Sequence, residues 1–170
     1  PQYAHRVKLV GVVTYRDGRM LCVQDETGGT RVMAVAPGAI AVGDRVEAVG
    51  FPDHSGASFT LVETVLRTNS PGWSPAPATL PLDELLTSRR DAILVQVEGV
   101  VLDQKTRNDY HLLELQNGPR VFAAVLAAPA GELPVLPVGS RVRVTGVNRL
   151  QFASPEPARA GDGLQPIPAT

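Results

Sequence analysis

Val7-Lys8-Leu9-Val10-Gly11-Val12-Val13 lies over Val95-Gln96-Val97-Glu98-Gly99-Val100-Val101, and Val42-Gly43-Asp44-Arg45-Val46-Glu47-Ala48-Val49-Gly50 lies over Val138-Gly139-Ser140-Arg141-Val142-Arg143-Val144-Thr145-Gly146. Between these anchors Leu21-Cys22-Val23-Gln24-Asp25 matches Leu113-Glu114-Leu115-Gln116-Asn117, and Arg31-Val32-Met33-Ala34 matches Arg120-Val121-Phe122-Ala123. Four matched segments in the same order argue for a duplicated unit. Each unit is made of short Val-rich runs with two-residue alternation, broken by Gly, Asp and Pro at strand-and-turn spacing, and helical periodicity is nearly absent.

In the first unit the alternation predicts strands near 7–15, 19–25, 30–35, 44–51 and 57–66. The glycines of Asp25-Glu26-Thr27-Gly28-Gly29 supply a tight hairpin between the second and third. Pro37 to Gly43 crosses to the fourth strand where a helix would otherwise sit. Five short strands with a long third-to-fourth crossover describe a small Greek-key barrel of OB type. The expected fold is therefore all-β, two tandem OB-fold-like five-stranded Greek-key barrels joined by a Pro-rich linker and one short helix. The first barrel takes residues 1–68 and the linker 69–81. The helix and second barrel take 82–154, and a Pro/Ala/Gly-rich tail takes 155–170. Pro81 at the entry, Asp83 and Glu84 in the first turn and Arg89-Arg90 in the last suit a helix dipole. Leu82, Leu85 and Leu86 would seat that helix on the second barrel as a plug. For the second barrel's fifth strand the sequence offers only Arg149-Leu150-Gln151-Phe152, or a return of Gly163-Leu164-Gln165-Pro166-Ile167, where proline is acceptable only at an edge. Trp73 is expected to pin the linker onto a barrel.

The chain has 170 residues, 44% of them hydrophobic, and a mean hydropathy of +0.02, which excludes a fibrous or fully disordered polymer. Sixteen Lys+Arg against 17 Asp+Glu give a net charge of −1. Residues 1–68 hold 7 of each sign and residues 91–154 hold 6 of each, so no global field draws a polyanion. Cys22 is the only cysteine, which excludes an intramolecular disulfide and a thiolate zinc cluster. No apolar run approaches the roughly 18 to 20 residues that span a bilayer. Opening on Pro1 without Met or an apolar leader, the chain reads as a mature form or a piece of a longer protein.

OB barrels usually bind on the face of strands two and three, flanked by the loops joining strands one to two and four to five. Placing Leu21, Val23, Val32 and Ala34 in the core by alternation puts Met20, Cys22, Gln24, Arg31 and Met33 on that face. By the repeat, the second unit presents Leu112, Glu114, Gln116, Arg120 and Phe122. Tyr15, Arg16 and His54 stand at the rim of the first face. The candidate ligand-binding residues are thus Tyr15, Arg16, Arg31, Met33, His54, Arg120 and Phe122; the same pattern also suits an ordinary solvent face. Single-stranded nucleic acid needs stacked aromatics and a basic groove. Of the two faces only Phe122 supplies an aromatic. No catalytic residue, metal site or cofactor is expected. His5, His54 and His111 have no metal-ligand spacing, and no nucleophile elbow, P-loop or dinucleotide-binding glycine pattern occurs. The adjacent acids Asp25 and Glu26 fit a turn better than an acid/base dyad.

Val7-Lys8-Leu9-Val10-Gly11-Val12-Val13-Thr14-Tyr15 followed by Leu21-Cys22-Val23-Gln24-Asp25-Glu26-Thr27-Gly28-Gly29 resembles the "V-x-G-V-V-T-Y … F-V-Q-D-x-T-G-G" opening of tandem OB-like regions found ahead of bacterial membrane-bound sensor histidine kinases and diguanylate cyclases. Leu80 to Arg89, running into Val95 to Val101, is similar to that family's inter-repeat segment. The likeness spans about residues 7–147, and the chain departs from it after Gly146, where the family continues into a clear last strand. The resemblance implies an extracytoplasmic, periplasmic module with adjoining membrane-anchored signalling domains, and it brings no ligand residues. The expected function is a non-enzymatic ligand- or protein-binding tandem OB module, the sensory input of a signal-transduction receptor. The partner would be a small ligand or protein, and binding would change the inter-barrel angle about a hinge from Thr68 to Pro81. The alternatives are an OB-type single-stranded nucleic-acid-binding protein and a protein-assembly adaptor using exposed strand edges.

Overall fold

The computed structural model describes residues 5–54, 58–71, 75–107, 110–127 and 133–150. The first unit runs β1 (Val7–Asp17), β2 (Met20–Gln24), β3 (Gly29–Ala34), β4 (Asp44–Asp53) and β5 (Thr60–Pro71). These close in the order β1-β2-β3-β5-β4, with β3 and β5 parallel and every other pair antiparallel, which is the Greek-key closure of an OB barrel. β1 serves both ends of the circuit. Its N-terminal half pairs with β4 and its C-terminal half with β2, across a bulge between Val13 and Tyr15. Gly11 stands where the halves meet, and a Cβ there would lie 2.6 Å from the Gln24 carbonyl oxygen. The core is the inward set of the alternation, Val13, Leu21, Val23, Val32, Ala34, Val46, Ala48 and Leu61. Ile40 of the crossover drops into it where a helix would otherwise plug the barrel.

The second unit runs β6 (Leu94–Thr106), β7 (Tyr110–Asn117), β8 (Arg120–Ala127) and β9 (Arg141–Val147), in the order β8-β7-β6-β9. That is the order β3-β2-β1-β4 of the first unit. The repeat extends to single hydrogen bonds: the Gly43 N–H donates to the Val13 carbonyl at 2.8 Å, and the Gly139 N–H donates to the Val101 carbonyl at 2.8 Å. Both glycines have positive φ, 97° and 88°, which a side chain would strain. The place that β5 fills between β3 and β4 holds no strand among the described residues of the second unit. The expected second barrel is there an open four-stranded sheet. Its core is correspondingly small: Val101, Leu113 and Leu115 are buried, and Phe122, Ala124, Val142 and Val144 packed against them are only partly so. Gln151, Phe152, the segment Gly163 to Ile167 and Trp73 lie outside the described residues. Arg149 and Leu150 are described and are not in a strand.

Three expectations are corrected. β5 runs on to Pro71, pairing Ser70 with Arg45 and Pro71 with Asp44, so the first residues given to the linker belong to the barrel. Further along, Ala78 forms a parallel bridge with Val95, its N–H reaching the Leu94 carbonyl at 2.9 Å, which ties the linker's end to β6. The helix is a single turn, α1 (Leu82–Leu85), with the arginines in a separate 3-10 turn over Ser88–Arg90. Leu82 and Leu85 pack against Ile93, Val95 and Val97, but Leu86 is exposed. Finally, Phe122 pairs with Leu115 and packs into the second core, while Val121 is exposed. The two hairpins share one register, Leu21 with Val32 and Val23 with Thr30 in the first, Leu113 with Ala124 and Leu115 with Phe122 in the second, so laying Arg31–Ala34 over Arg120–Ala123 is three residues out of step, and an odd slip turns every side chain to the other face.

Candidate functional site

In the first barrel the face of β2 and β3 is the joint between the two units. Cys22 lies between the core residues Leu21 and Val23 and pairs with Arg31, so its side chain points outward, yet it is 0% exposed. What covers it is the chain entering and leaving the second unit. Arg31 Nη2 donates to Asp91 Oδ1 and to the Leu150 carbonyl, each at 2.6 Å, and the Leu150 N–H donates to the same Asp91 oxygen at 2.7 Å. The Leu94 N–H donates to Gln24 Oε1 at 2.7 Å. Gly29 lies so close to the incoming strand that a Cβ would sit 2.2 Å from the Ala92 carbonyl oxygen. Burial pushes the Cys22 thiol from 9.0 up to about 11; the Arg149 and Arg31 guanidinium groups oppose the rise and the Asp91 carboxylate adds to it. A thiol so placed is a poor nucleophile.

The predicted site residues divide accordingly. Arg31 is spent on Asp91 and Leu150, and Tyr15 lies under Arg149, whose Cζ is 5.5 Å from the ring centroid, so both serve the joint. Arg16 donates to the carbonyl oxygens of Ile40 and, at 3.2 Å, Gly38, fastening the crossover. Met33 is exposed beside Met20, its cross-strand partner. His54 tilts against Phe59 with ring centroids 5.3 Å apart. In the second unit Arg120 pairs with Asp83 at 2.8 Å, and Phe122 is core. The seven residues are not gathered into one pocket.

A charged surface emerges instead on the outer face of β1, β4 and β5. With Leu9, Val46, Ala48 and Leu66 packed inward, Lys8, Val10, Arg45, Glu47, Val49, Val65 and Arg67 point outward. Lys8 Nζ and Glu47 Oε2 meet at 2.7 Å, and Arg67 pairs across from Glu47. At the edge of this group Arg6 lies over the Phe51 ring, Cζ to centroid 5.2 Å. Lys8, Arg45 and Arg67 thus surround Glu47, while Arg6, like Asp53 and Glu63, lies beyond the Lys8–Val49–Val65 row. Arg45 and Arg67 have no carboxylate partner among the described residues. The signal for this face is in the sequence, since Arg6, Lys8, Arg45 and Arg67 all fall at outward positions once the strands are phased. The totals of 7 and 7 concealed it.

Two clefts lack such a surplus. One of about 550 Å³, between the linker and the β7–β8 turn, holds the pairs Arg120–Asp83 and Arg143–Glu98. The other, about 490 Å³ between the β2–β3 hairpin and the 3-10 turn, sets Arg89 and Arg90 against Asp25, with Glu84 3.7 Å from Arg90. Among the described residues no group of three or more His, Cys, Asp or Glu is placed to hold a metal ion, and no helix is long and apolar enough to cross a membrane.

The sequence matches no protein-family model and no curated protein. Sixteen chains of solved structures match. One is the HINa domain of Ifi202 in complex with a 20-bp double-stranded DNA, at 12% identity over 76% of this chain and 78% of that chain, with a TM-score of 0.37. Another is a murine DNA-binding protein bound with double-stranded DNA, at 12% identity over 72% and 77%, with a TM-score of 0.39. A third, described as structural mimicry for functional antagonism, covers 81% of this chain and 79% of that chain at 12% identity and a TM-score of 0.38. At these scores the likenesses carry no argument about ligand, and the functional reading rests on the chain's own surface.

Proposed function

We propose that the chain is a non-enzymatic OB-type module that binds nucleic acid through the outer face of β1, β4 and β5. The observation that carries this reading is the gathering of Lys8, Arg45 and Arg67 around Glu47, with Arg6 at the edge over Phe51, on an exposed face while the β2–β3 face is covered. Arg6 and Lys8, two residues apart in extended chain, present cations about 7 Å apart, a pitch that an extended sugar-phosphate backbone can follow. Phe51, with Arg6 stacked on it, offers a π-face to an unpaired base. Most other cations are already engaged: Arg31, Arg90, Lys105, Arg120 and Arg143 by carboxylates, and Arg16 and Arg19 by backbone carbonyls. The shared strand order and the matched Gly43 and Gly139 hydrogen bonds support reading the second unit as the same OB type.

The test is fluorescence anisotropy of the full chain with labelled oligo-dT at low and moderate salt. Binding that weakens steeply with salt supports the reading. Absence of binding at low salt, or binding indifferent to salt, overturns it.

A further inference from the structure

We propose that the second unit is a movable cover over the β2–β3 face of the first barrel, and that the joint opens at the Arg31–Asp91–Leu150 contact. This goes beyond the nucleic-acid reading, which concerns a face the cover does not touch.

Covering is shown by Cys22, which faces outward by its strand register and is wholly buried. That the cover can lift follows from what holds it. The three apolar clusters among the described residues each stay within one unit: the first lies in residues 9–66, the second in 78–97 and the third in 101–144. The joint is held by polar contacts instead: the Arg31–Asp91 pair, the two Leu150 hydrogen bonds, the Leu94 N–H on Gln24 and the Arg149–Tyr15 contact. Inter-domain contacts of this kind exchange readily with water, whereas large apolar ones do not. Two features work against closure. Arg31 Nε is buried with no hydrogen-bond partner among the described residues, and Ala92, in the segment that lies on Gly29, has φ of 59°, the left-handed region that costs a side-chain-bearing residue energy. Opening wets the guanidinium and frees Ala92 to relax. It also uncovers Cys22, Gln24 and Arg31 on the face where OB barrels bind.

Cys22, the only thiol, reports the opening directly. The rate of its reaction with an aromatic disulfide reagent is measured on the full chain at fixed pH across low urea concentrations, beside the unfolding curve from circular dichroism. The wedge variant is Gly29→Ala: Gly29 does not have a positive φ, so alanine suits its strand, and the three atoms nearest the added methyl all belong to Ala92 and Ile93 at the entry to the second unit. Labelling with little urea dependence, raised about tenfold or more in Gly29→Ala with unfolding of the barrel unchanged, is the expected result. Asp91→Asn, which removes the anion and leaves an oxygen for the Leu150 N–H, should act in the same direction and stands in if Gly29→Ala does not fold. Labelling that follows the full urea dependence of global unfolding, or a rate unaltered by a folded variant, overturns the proposal.

Discussion

Replacing Arg45 and Arg67 together by glutamine removes two of the four cations on the outer face of β1, β4 and β5 and leaves the carboxylate. Each cation that neutralises a phosphate of a single strand contributes about −0.7 to the slope of log K against log salt, so four give at most about −2.8. Between about 50 and 200 mM salt that slope weakens binding roughly 50-fold. With two cations gone the slope falls to about −1.4 and the loss to roughly 7-fold. Both side chains are exposed, so stability should stay within about 0.5 kcal/mol of wild type. Glu47→Gln tests the sign independently: it releases Lys8 from its 2.7 Å partner and should tighten binding at low salt. Anisotropy titrations at four or more salt concentrations read all three proteins. A slope unchanged in Arg45→Gln/Arg67→Gln, or weaker binding in Glu47→Gln, would refute the assignment of this face.

Three further outcomes follow from the packing. Gly50→Ala should cost about 1–3 kcal/mol, because its Cβ would lie 2.4 Å from Thr64 Oγ1 and 2.6 Å from the Val62 carbonyl oxygen of β5. The repeat-equivalent Gly146→Ala meets nothing within 4 Å and should be neutral or stabilising by about 0.5 kcal/mol, as read by urea unfolding. In a double-mutant cycle, Asp91→Ala and Arg31→Ala should each cost about 2–3 kcal/mol, below the usual loss for a fully buried pair because Arg31 is 20% exposed against 4% for Asp91, and their costs should be non-additive. Burial pulls the Asp25 carboxyl upward, but hydrogen bonds from the Thr27 hydroxyl and the N–H groups of Thr27 and Gly28 outweigh it and hold the group below 3.8. The stability this gives is therefore present above the unfolded value and lost as pH falls through the lower folded one. Asp25→Ala should remove about 0.5–1 kcal/mol near pH 7, and its cost should shrink as the pH falls below 3.8.

The duplication was legible because it is written in residues whose backbone roles leave little choice. Gly43 and Gly139 take the same positive φ and make the same bond to Val13 and Val101. The strands of the first unit were legible because one face is core and the other is not, so alternation carries the phase. Alternation failed at β8 for a related reason. Its two faces read Phe122-Ala124 and Val121-Ala123-Val125, both apolar, and only the turn before it decides which goes inward. Propensity gave no warning that β5 would continue to Pro71, since that end pairs with the terminal residues of β4 and a proline is tolerated there.

The joint was hidden for a different reason. Arg31, Gln24 and Asp91 are each ordinary surface residues in sequence, and only the three-dimensional meeting of β2–β3 with residues 91–94 and 149–150 makes them partners. The charge balance misled in the same way. Equal counts imply a neutral surface only if the two signs are distributed alike, and in the first unit they are not. Lys8, Arg45 and Arg67 sit within strands on outward positions, where only Glu47 and Glu63 answer them, whereas Asp17 ends β1, Asp25 caps the β2–β3 turn, Asp44 accepts the Ala41 N–H at the start of β4 and Asp53 ends that strand. Carboxylates serve turns because they accept backbone N–H groups, a task for which lysine and arginine have no acceptor. A β-barrel that uses its acids as turn caps therefore leaves its cations on the strands, and a neutral chain can carry a basic face without a single excess positive residue.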